Sequence, residues 1–148
     1  MKVQPYLFFA GNCEAAINFY QTTLGATLQF LMRFGDMPTD EANQEGCVSA
    51  SDFAPNPNLI MHANLLIGES QIMLSDDPSG SQHAHTGYAL SIACRDVVEG
   101  KRLFDALLEE GQVSMPWGET FWALGFGMLK DKFGVHWMIN VERPQTGA

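Results

Sequence analysis

The chain has no apolar run approaching the ~18 residues that a membrane-spanning helix requires. It is also poor in positive charge, with 8 lysines and arginines against 17 aspartates and glutamates. The first lack excludes a spanning helix. The second leaves a net charge of −9, which repels phosphate backbones and anionic headgroups. Neither nucleic acid nor a membrane is therefore an expected partner. The cysteines, Cys13, Cys47 and Cys94, number only 3. They are an odd set without metal-ligand spacing, which points to a reducing, cytoplasmic setting. Met1-Lys2-Val3-Gln4-Pro5 enters a strand-like segment with no signal-peptide apolar core.

What the chain does have is apolar substance. Hydrophobic residues make up 46% of its 148 positions and charged ones 17%, the balance of a globular chain rather than a disordered one. That length suits one domain or two half-domains sharing an interface.

The clearest segment runs from Asp131 to Val141. An Asp-x-x-Gly turn leads into a strand with Trp137, Ile139 and Val141 on one face and His136, Met138 and Asn140 on the other. Such a strand packs its oily face on a core and lines a pocket with the other. Gln71 to Ser75 repeats the pattern, with Ile72 and Leu74 inward and Gln71, Met73 and Ser75 outward.

The elements around these two strands also come twice. Pro5–Ala10 reads as a strand. Asn12 is placed to cap a helix whose stripe is Ala16, Phe19, Tyr20 and Leu24, and Gly25 ends it. Ala26–Phe34 alternates as a second strand. Residues 35–58 form a long polar loop, a length typical of a lid or of disorder. Leu59–Gly68 and Ser70–Ser75 make a hairpin. Past a linker at 77–84, Gly87–Cys94 is a strand and Asp96 caps a helix with Val97, Leu103, Phe104, Leu107 and Leu108 inward. Strands at Val113–Trp117, Phe121–Lys130 and Val135–Val141 follow. Pro5-Tyr6-Leu7-Phe8 thereby matches Gly87-Tyr88-Ala89-Leu90, and Gln71-Ile72-Met73-Leu74 matches His136-Trp137-Met138-Ile139. The expected fold is α+β: a βαβββ module at 1–76, a second at 85–143 and a tail at 144–148.

With that order in hand, the chain resembles the vicinal oxygen chelate superfamily of glyoxalase, dioxygenase and bleomycin-resistance proteins. Ala16-Ile17-Asn18-Phe19-Tyr20 with Leu24-Gly25 is similar to that family's first helix and its stop. Asp131-Lys132-Phe133-Gly134 is similar to its turn before the last strand. Phe8-Phe9-Ala10-Gly11-Asn12-Cys13, His62-Ala63-Asn64, Ser75-Asp76 and Trp117-Gly118-Glu119-Thr120-Phe121-Trp122-Ala123 look most like the PhnB-like branch. The resemblance implies cupped sheets enclosing a small-molecule cavity, helices outside, and a homodimer. It also implies a divalent metal held by the first and last strands of each module. Aligned strand by strand, those positions fall on Pro5, Met73, Gly87 and Met138, none of which supplies a hard oxygen or an imidazole. The expectation is thus a binding protein with no cofactor. Some relatives carry a ubiquinone-ring methyltransferase label, but the Gly-rich strand–helix turn that would hold a nucleoside-like methyl donor is missing.

Several residue sets could carry function. His62, His85 and His136 form a candidate displaced metal site, to which Glu119 could add a carboxylate; the plainer reading is two cavity histidines and one loop histidine. A metal-free pocket would use His62, Asn64, Gln71, Met73, Ser75, Ser91, His136, Met138 and Asn140, with Phe9, Trp117, Glu119 and Trp122 beside them. Arg33, on a face with Gln29 and Leu31, is the candidate anchor for an anion such as a phosphonate; a surface arginine is the equal alternative. Phe121 and Trp137 are expected in the core. Cys13, at a helix N-terminus, is placed to favour the thiolate. Two functions follow: a metal-independent small-molecule-binding protein, or an enzyme of lyase, transferase or hydrolase type on a small polar metabolite. The enzyme would use the displaced metal or His136 as general acid/base, since an imidazole ordinarily titrates near neutrality.

Overall fold

A computed structural model describes residues 1–36 and 56–144. Most of the expected lid at 35–58, together with Cys47 and most of the tail at 144–148, lies outside the described residues. The chain divides into two compact units, Met1–His83 and Ala84–Ala148.

In unit 1 the order is β1 (Tyr6–Phe9), α1 (Cys13–Leu24), β2 (Thr27–Arg33), a short 3-10 turn at Phe34–Asp36, β3 (Ile60–Ile67) and β4 (Ser70–Asp76). In unit 2 it is β5 (Leu90–Ala93), α2 (Val97–Leu107), β6 (Gln112–Gly118), β7 (Ala123–Lys130) and β8 (His136–Glu142). The strands lie side by side as β1-β4-β3-β2 and β5-β8-β7-β6. The first and last strands of each unit pair in parallel and the others antiparallel. This is the expected pair of βαβββ modules, an α+β fold.

Each sheet has a helix-covered face and an open face. In unit 1, Leu7, Phe9, Ala63, Leu65, Ile72 and Leu74 are buried on the side where α1 packs against β2, β3 and β4. In unit 2, Leu129, Trp137, Ile139 and Val141 are buried with Leu103, Phe104 and Leu107 of α2, which packs on β7 and β8. The period-two alternation puts these residues on one side of each strand. Burying each large apolar side chain contributes roughly 1.5–3 kcal/mol.

Two buried carboxylates tie the ends of these strands. Asp131 Oδ1 accepts from the amides of Phe133 and Val135, and its Oδ2 accepts from Trp137 Nε1 at 2.8 Å. The turn before β8 and the core tryptophan are thus fixed by one side chain. Gly134, at φ 86°, supplies the left-handed conformation that closes this turn. Asp76, at the end of β4, has Oδ1 accepting from the amides of Gly11 and Cys13 and Oδ2 from that of Ile60.

Asp76 corrects the expectation for Asn12. Asn12 occupies the cap position of α1, but its side chain makes no capping hydrogen bond; the carboxylate of a distant strand serves the helix start instead. In α2 the cap is local, as expected. Asp96 accepts from the Glu99 amide, and Glu99 accepts in turn from the Arg95 amide, a reciprocal capping arrangement. Val97 is exposed rather than inward, and Gly100 takes a buried place on that face.

Candidate functional site

The open face of unit 1 is built in rows. Phe30 of β2 lies opposite Asn64 of β3, Asn64 opposite Met73 of β4, and Met73 beside Tyr6 of β1. Met32 lies opposite His62, and Phe8 beside Ser75. The Tyr6 hydroxyl hydrogen-bonds His62 Nδ1 at 3.0 Å. The Tyr6 and Phe8 rings are 4.9 Å apart, and His62 lies 5.6 Å from Tyr6 and 5.9 Å from Phe30 between centroids. Gln71 accepts from Gln4 Nε2. The Asn64 Oδ1 atom is buried without a hydrogen-bond partner, an unmet acceptor of a kind that folded proteins seldom leave.

At one end of this face opens a cleft of about 440 Å3. Tyr6, Phe8, Phe34 and Met61 form its apolar wall; Ser75, Asp76, Asp77, Pro78 and His83 form the polar one. That volume is within the range of small-ligand sites. The polar wall is organised by Asp77, whose Oδ1 accepts from the Ser79 amide and hydroxyl and whose Oδ2 meets His83 Nε2. The hydrogen bonds from the Ser79 hydroxyl and His83 hold the Asp77 carboxyl down at about 2. Ser75 is 5% exposed.

Most of these walls escape a reading by strand parity alone. Phe9 is a core residue at 3% exposure, whereas its neighbour Phe8, at 49%, faces the cleft. Strict parity counted from Met73, through the parallel pairing with Tyr6, would have placed Phe8 correctly. Asp77 and His83 sit in the stretch expected to be only a linker; the Asp-Asp-Pro-Ser-Gly-Ser run was the available signal for an ordered turn.

Arg33 is not part of this cleft. It pairs with Glu14 in the first turn of α1, and its Nη1 donates to the Asn58 carbonyl at 2.7 Å. Two register shifts in the β2–β3 pairing, between Leu28 and Phe30 and between Met32 and Arg33, bring Arg33 opposite buried Ile60. Alternation itself separates Arg33 from Phe30 and Met32 of the open face and groups it with Leu31, which lies opposite buried Ala63.

The open face of unit 2 carries Ser91 beside Met138, Asn140 opposite Phe126, and Met128 opposite Met138. His136 is half-buried there, opposite Lys130. Asn140 Oδ1, like that of Asn64, is buried and unpaired. Trp122 stacks edge-on between Phe121 and Phe126 at 4.9 and 5.5 Å. Phe121 is 89% exposed, so it is not the core residue expected; β7 begins at Ala123, leaving it in the preceding turn. Glu119 is exposed and paired with Arg143.

Trp117 lies on the other face, under α2. A Cβ added to Gly100 or Gly125 would stand 2.6 or 2.5 Å from its ring, and its ring centroid is 5.8 Å from that of Phe104. Its role is to fill a slot left by missing side chains. Cys13 is fully buried; burial raises its thiol well above the ordinary range, and Asp76 and Glu14 raise it further. The dipole of α1 is outweighed, and no reactive thiolate results. Burial, with Glu99 and Asp96, also pushes Cys94 up to about 11, against a lowering by Arg102.

A sequence profile described as Glyoxalase/Bleomycin resistance protein/Dioxygenase superfamily matches residues 2–139. The chain belongs to this superfamily. It is 47% identical over 146 residues to Protein YjdN of Escherichia coli (strain K12), covering 98% of each chain. Protein PA1353 from Pseudomonas aeruginosa has a crystal structure with a TM-score of 0.80 and 39% identity, covering 97% of this chain and 99% of that one. A Bacillus cereus protein described as "Putative 3-demethylubiquinone-9 3-methyltransferase, PhnB protein" has a TM-score of 0.73 at 22% identity, over 95% and 99%. The chain is PhnB-like in fold.

For a glyoxalase-superfamily chain the pertinent test is the metal. Strand register puts Tyr6, not Pro5, beside Met73, and Ser91, not Gly87, beside Met138. The ligand positions that the resemblance assigns therefore carry a phenol, a hydroxyl and two thioethers. Such a set does not fit magnesium, manganese or nickel, since thioethers suit soft ions. Nor, among the described residues, do three His, Cys, Asp or Glu side chains gather within either unit where a metal could sit. His62 is engaged by Tyr6, and His85 Nδ1 by the Tyr88 hydroxyl at 2.9 Å. No described helix is long and apolar enough to cross a membrane.

Proposed function

We propose that this chain is a metal-independent small-molecule-binding protein of the glyoxalase superfamily, with its ligand seated on the open face of unit 1. The observation that carries the reading is the cleft of about 440 Å3 between the Tyr6 and Phe8 rings and the Ser75–Asp77 wall. It lies on the face where a phenol and a thioether stand in place of metal ligands. A buried amide oxygen without a partner costs about 1–3 kcal/mol, so Asn64 Oδ1, on the same open face, favours a ligand that donates there. A homodimer in the cytoplasm belongs to the same reading. Its supports are the exposed Phe121–Trp122 pair and the free thiols of Cys13 and Cys94.

The test combines metal analysis by mass spectrometry on untagged protein with a fragment screen by NMR, run with and without a chelator. The expected result is no stoichiometric metal and saturable, chelator-indifferent binding that weakens in Phe8→Ala. A stoichiometric metal lost in His136→Ala would overturn the proposal.

That outcome would favour the second reading, an enzyme acting on a small polar metabolite with His136 as general acid/base or as part of a displaced metal site. Its support is that His136 shares the open face of β8 with Met138 and the unpaired Asn140 oxygen. Turnover of an identified substrate that survived His136→Ala unchanged would remove the histidine from any such role.

A further inference from the structure

The cleft of unit 1 has a sign. Among the described residues no lysine or arginine lines it, and Arg33 is held elsewhere by Glu14 and the Asn58 carbonyl. The anchor that an anionic ligand would need is therefore missing. Two carboxylates stand in the wall instead, and they are not equivalent. Asp76 is 3% exposed, and both of its oxygens accept backbone amides, so its charge is neutralised by the start of α1 and by β3.

Asp77 is only partly covered. It accepts from Ser79 through one oxygen and meets His83 through the other. An ionised carboxylate has about four lone-pair positions, so acceptor capacity remains. The depressed carboxyl keeps its negative charge in place well below neutral pH. Tyr6 and Phe8 line the same cleft, exposed by 37% and 49%, with the Phe8 ring 6.1 Å from that of His83. Aromatic faces attract cations, more strongly where water is displaced.

We propose that this cleft binds an organic cation, an amine or quaternary ammonium bearing an apolar group. The charged nitrogen lies against the Tyr6 and Phe8 rings within reach of Asp77, and the apolar part packs toward Phe34. Ser75 is the other polar group of the polar wall besides the two carboxylates and His83. This assignment rests on the small-molecule-binding reading and names its ligand class. The chain's net charge of −9 acts in the same direction by concentrating cations near the surface.

The test is calorimetric titration of the full chain at pH 8 with three probes sharing one aryl group: benzyltrimethylammonium, benzyl alcohol and benzylphosphonate. The expected result is saturable 1:1 binding of the ammonium alone. Its affinity should fall about tenfold in Asp77→Asn and by a similar factor in Phe8→Ala. Asp77→Asn keeps the oxygen that accepts from Ser79, so the turn persists, and circular dichroism checks the fold of both variants. Benzyl alcohol binding as tightly as the cation would overturn the charge assignment while leaving small-molecule binding intact. Benzylphosphonate binding as tightly would do the same. Ammonium binding unchanged in Asp77→Asn, or none at all, would overturn the proposal; a positive fragment screen would still support the broader function.

Discussion

The two units share a strand order and a helix, yet they secure their helices by different means. In unit 2 the start of α2 is served from within, by Asp96 and Glu99 three residues apart. In unit 1 the start of α1 is served by Asp76, whose carboxylate arrives from β4 and also holds the first residue of β3. A local cap stabilises one helix; a distant one couples the helix to the sheet beneath it. The same residue that makes α1 depend on β4 also contributes a wall to the cleft. The start of α1 and the wall of the cleft are therefore linked in unit 1 through one side chain.

The sharpest way to break this comparison is Asp76→Ala. It strands three backbone donors, at Gly11, Cys13 and Ile60, and hydrogen bonds to a charged group are each worth about 1.5–3 kcal/mol. Urea unfolding should show a loss of at least about 3 kcal/mol; a loss below about 1 kcal/mol would mean that water or the backbone replaces the carboxylate at little cost. Next is Gly125→Ala. The new methyl would stand 2.5 Å from the Trp117 ring, and overpacking of this kind costs about 1–3 kcal/mol. The double variant Gly125→Ala/Trp117→Phe should recover part of that loss if the indole is the obstacle. Asp96→Ala should cost about 1 kcal/mol, as a lost local cap does, whereas Asn12→Ala should change stability by only a few tenths. Equal losses for Asp96→Ala and Asn12→Ala would erase the distinction between the helices.

The smallest effect concerns pH. The Asp77 carboxyl sits at about 2 against an ordinary 3.8, so its ionised form is favoured by the fold. That contribution is present above about pH 3.8 and is lost as the pH falls towards 2. Carbon-detected NMR of the Asp77 side chain should place its midpoint near 2 in the native protein, rising toward the ordinary value in His83→Ala/Ser79→Ala.

Much of the architecture could be read from periodicity. Trp137, Ile139 and Val141 alternate with His136, Met138 and Asn140 because a half-buried strand requires it, and Gly25 and Asp96 mark helix ends by local chemistry. What could not be read depends on register or distance. Arg33 is off the open face because its row, shared with Leu31, lies opposite buried Ala63 on the helix-covered side, which the sequence pattern of β2 alone does not reveal. Phe8 and Phe9 exchange roles once Tyr6 is known to lie beside Met73. Asp76 replaces Asn12 as the cap across 63 residues of chain between it and Cys13. Trp117 belongs to the helix-covered face because Gly100 and Gly125 vacate space for its ring, and spacing along one strand does not show a vacancy on another.

That vacancy has a consequence for inheritance. Gly100 and Gly125 give way to the Trp117 indole, while Gly127 yields to Phe104 and to the Trp117 backbone. These positions cannot drift independently: a lineage that gains a side chain at Gly100 or Gly125 must first shrink the ring. A lineage that loses the ring leaves a void that invites those side chains in. Two absences and one large ring are thus one packing unit, in which a change at any member is felt by the others.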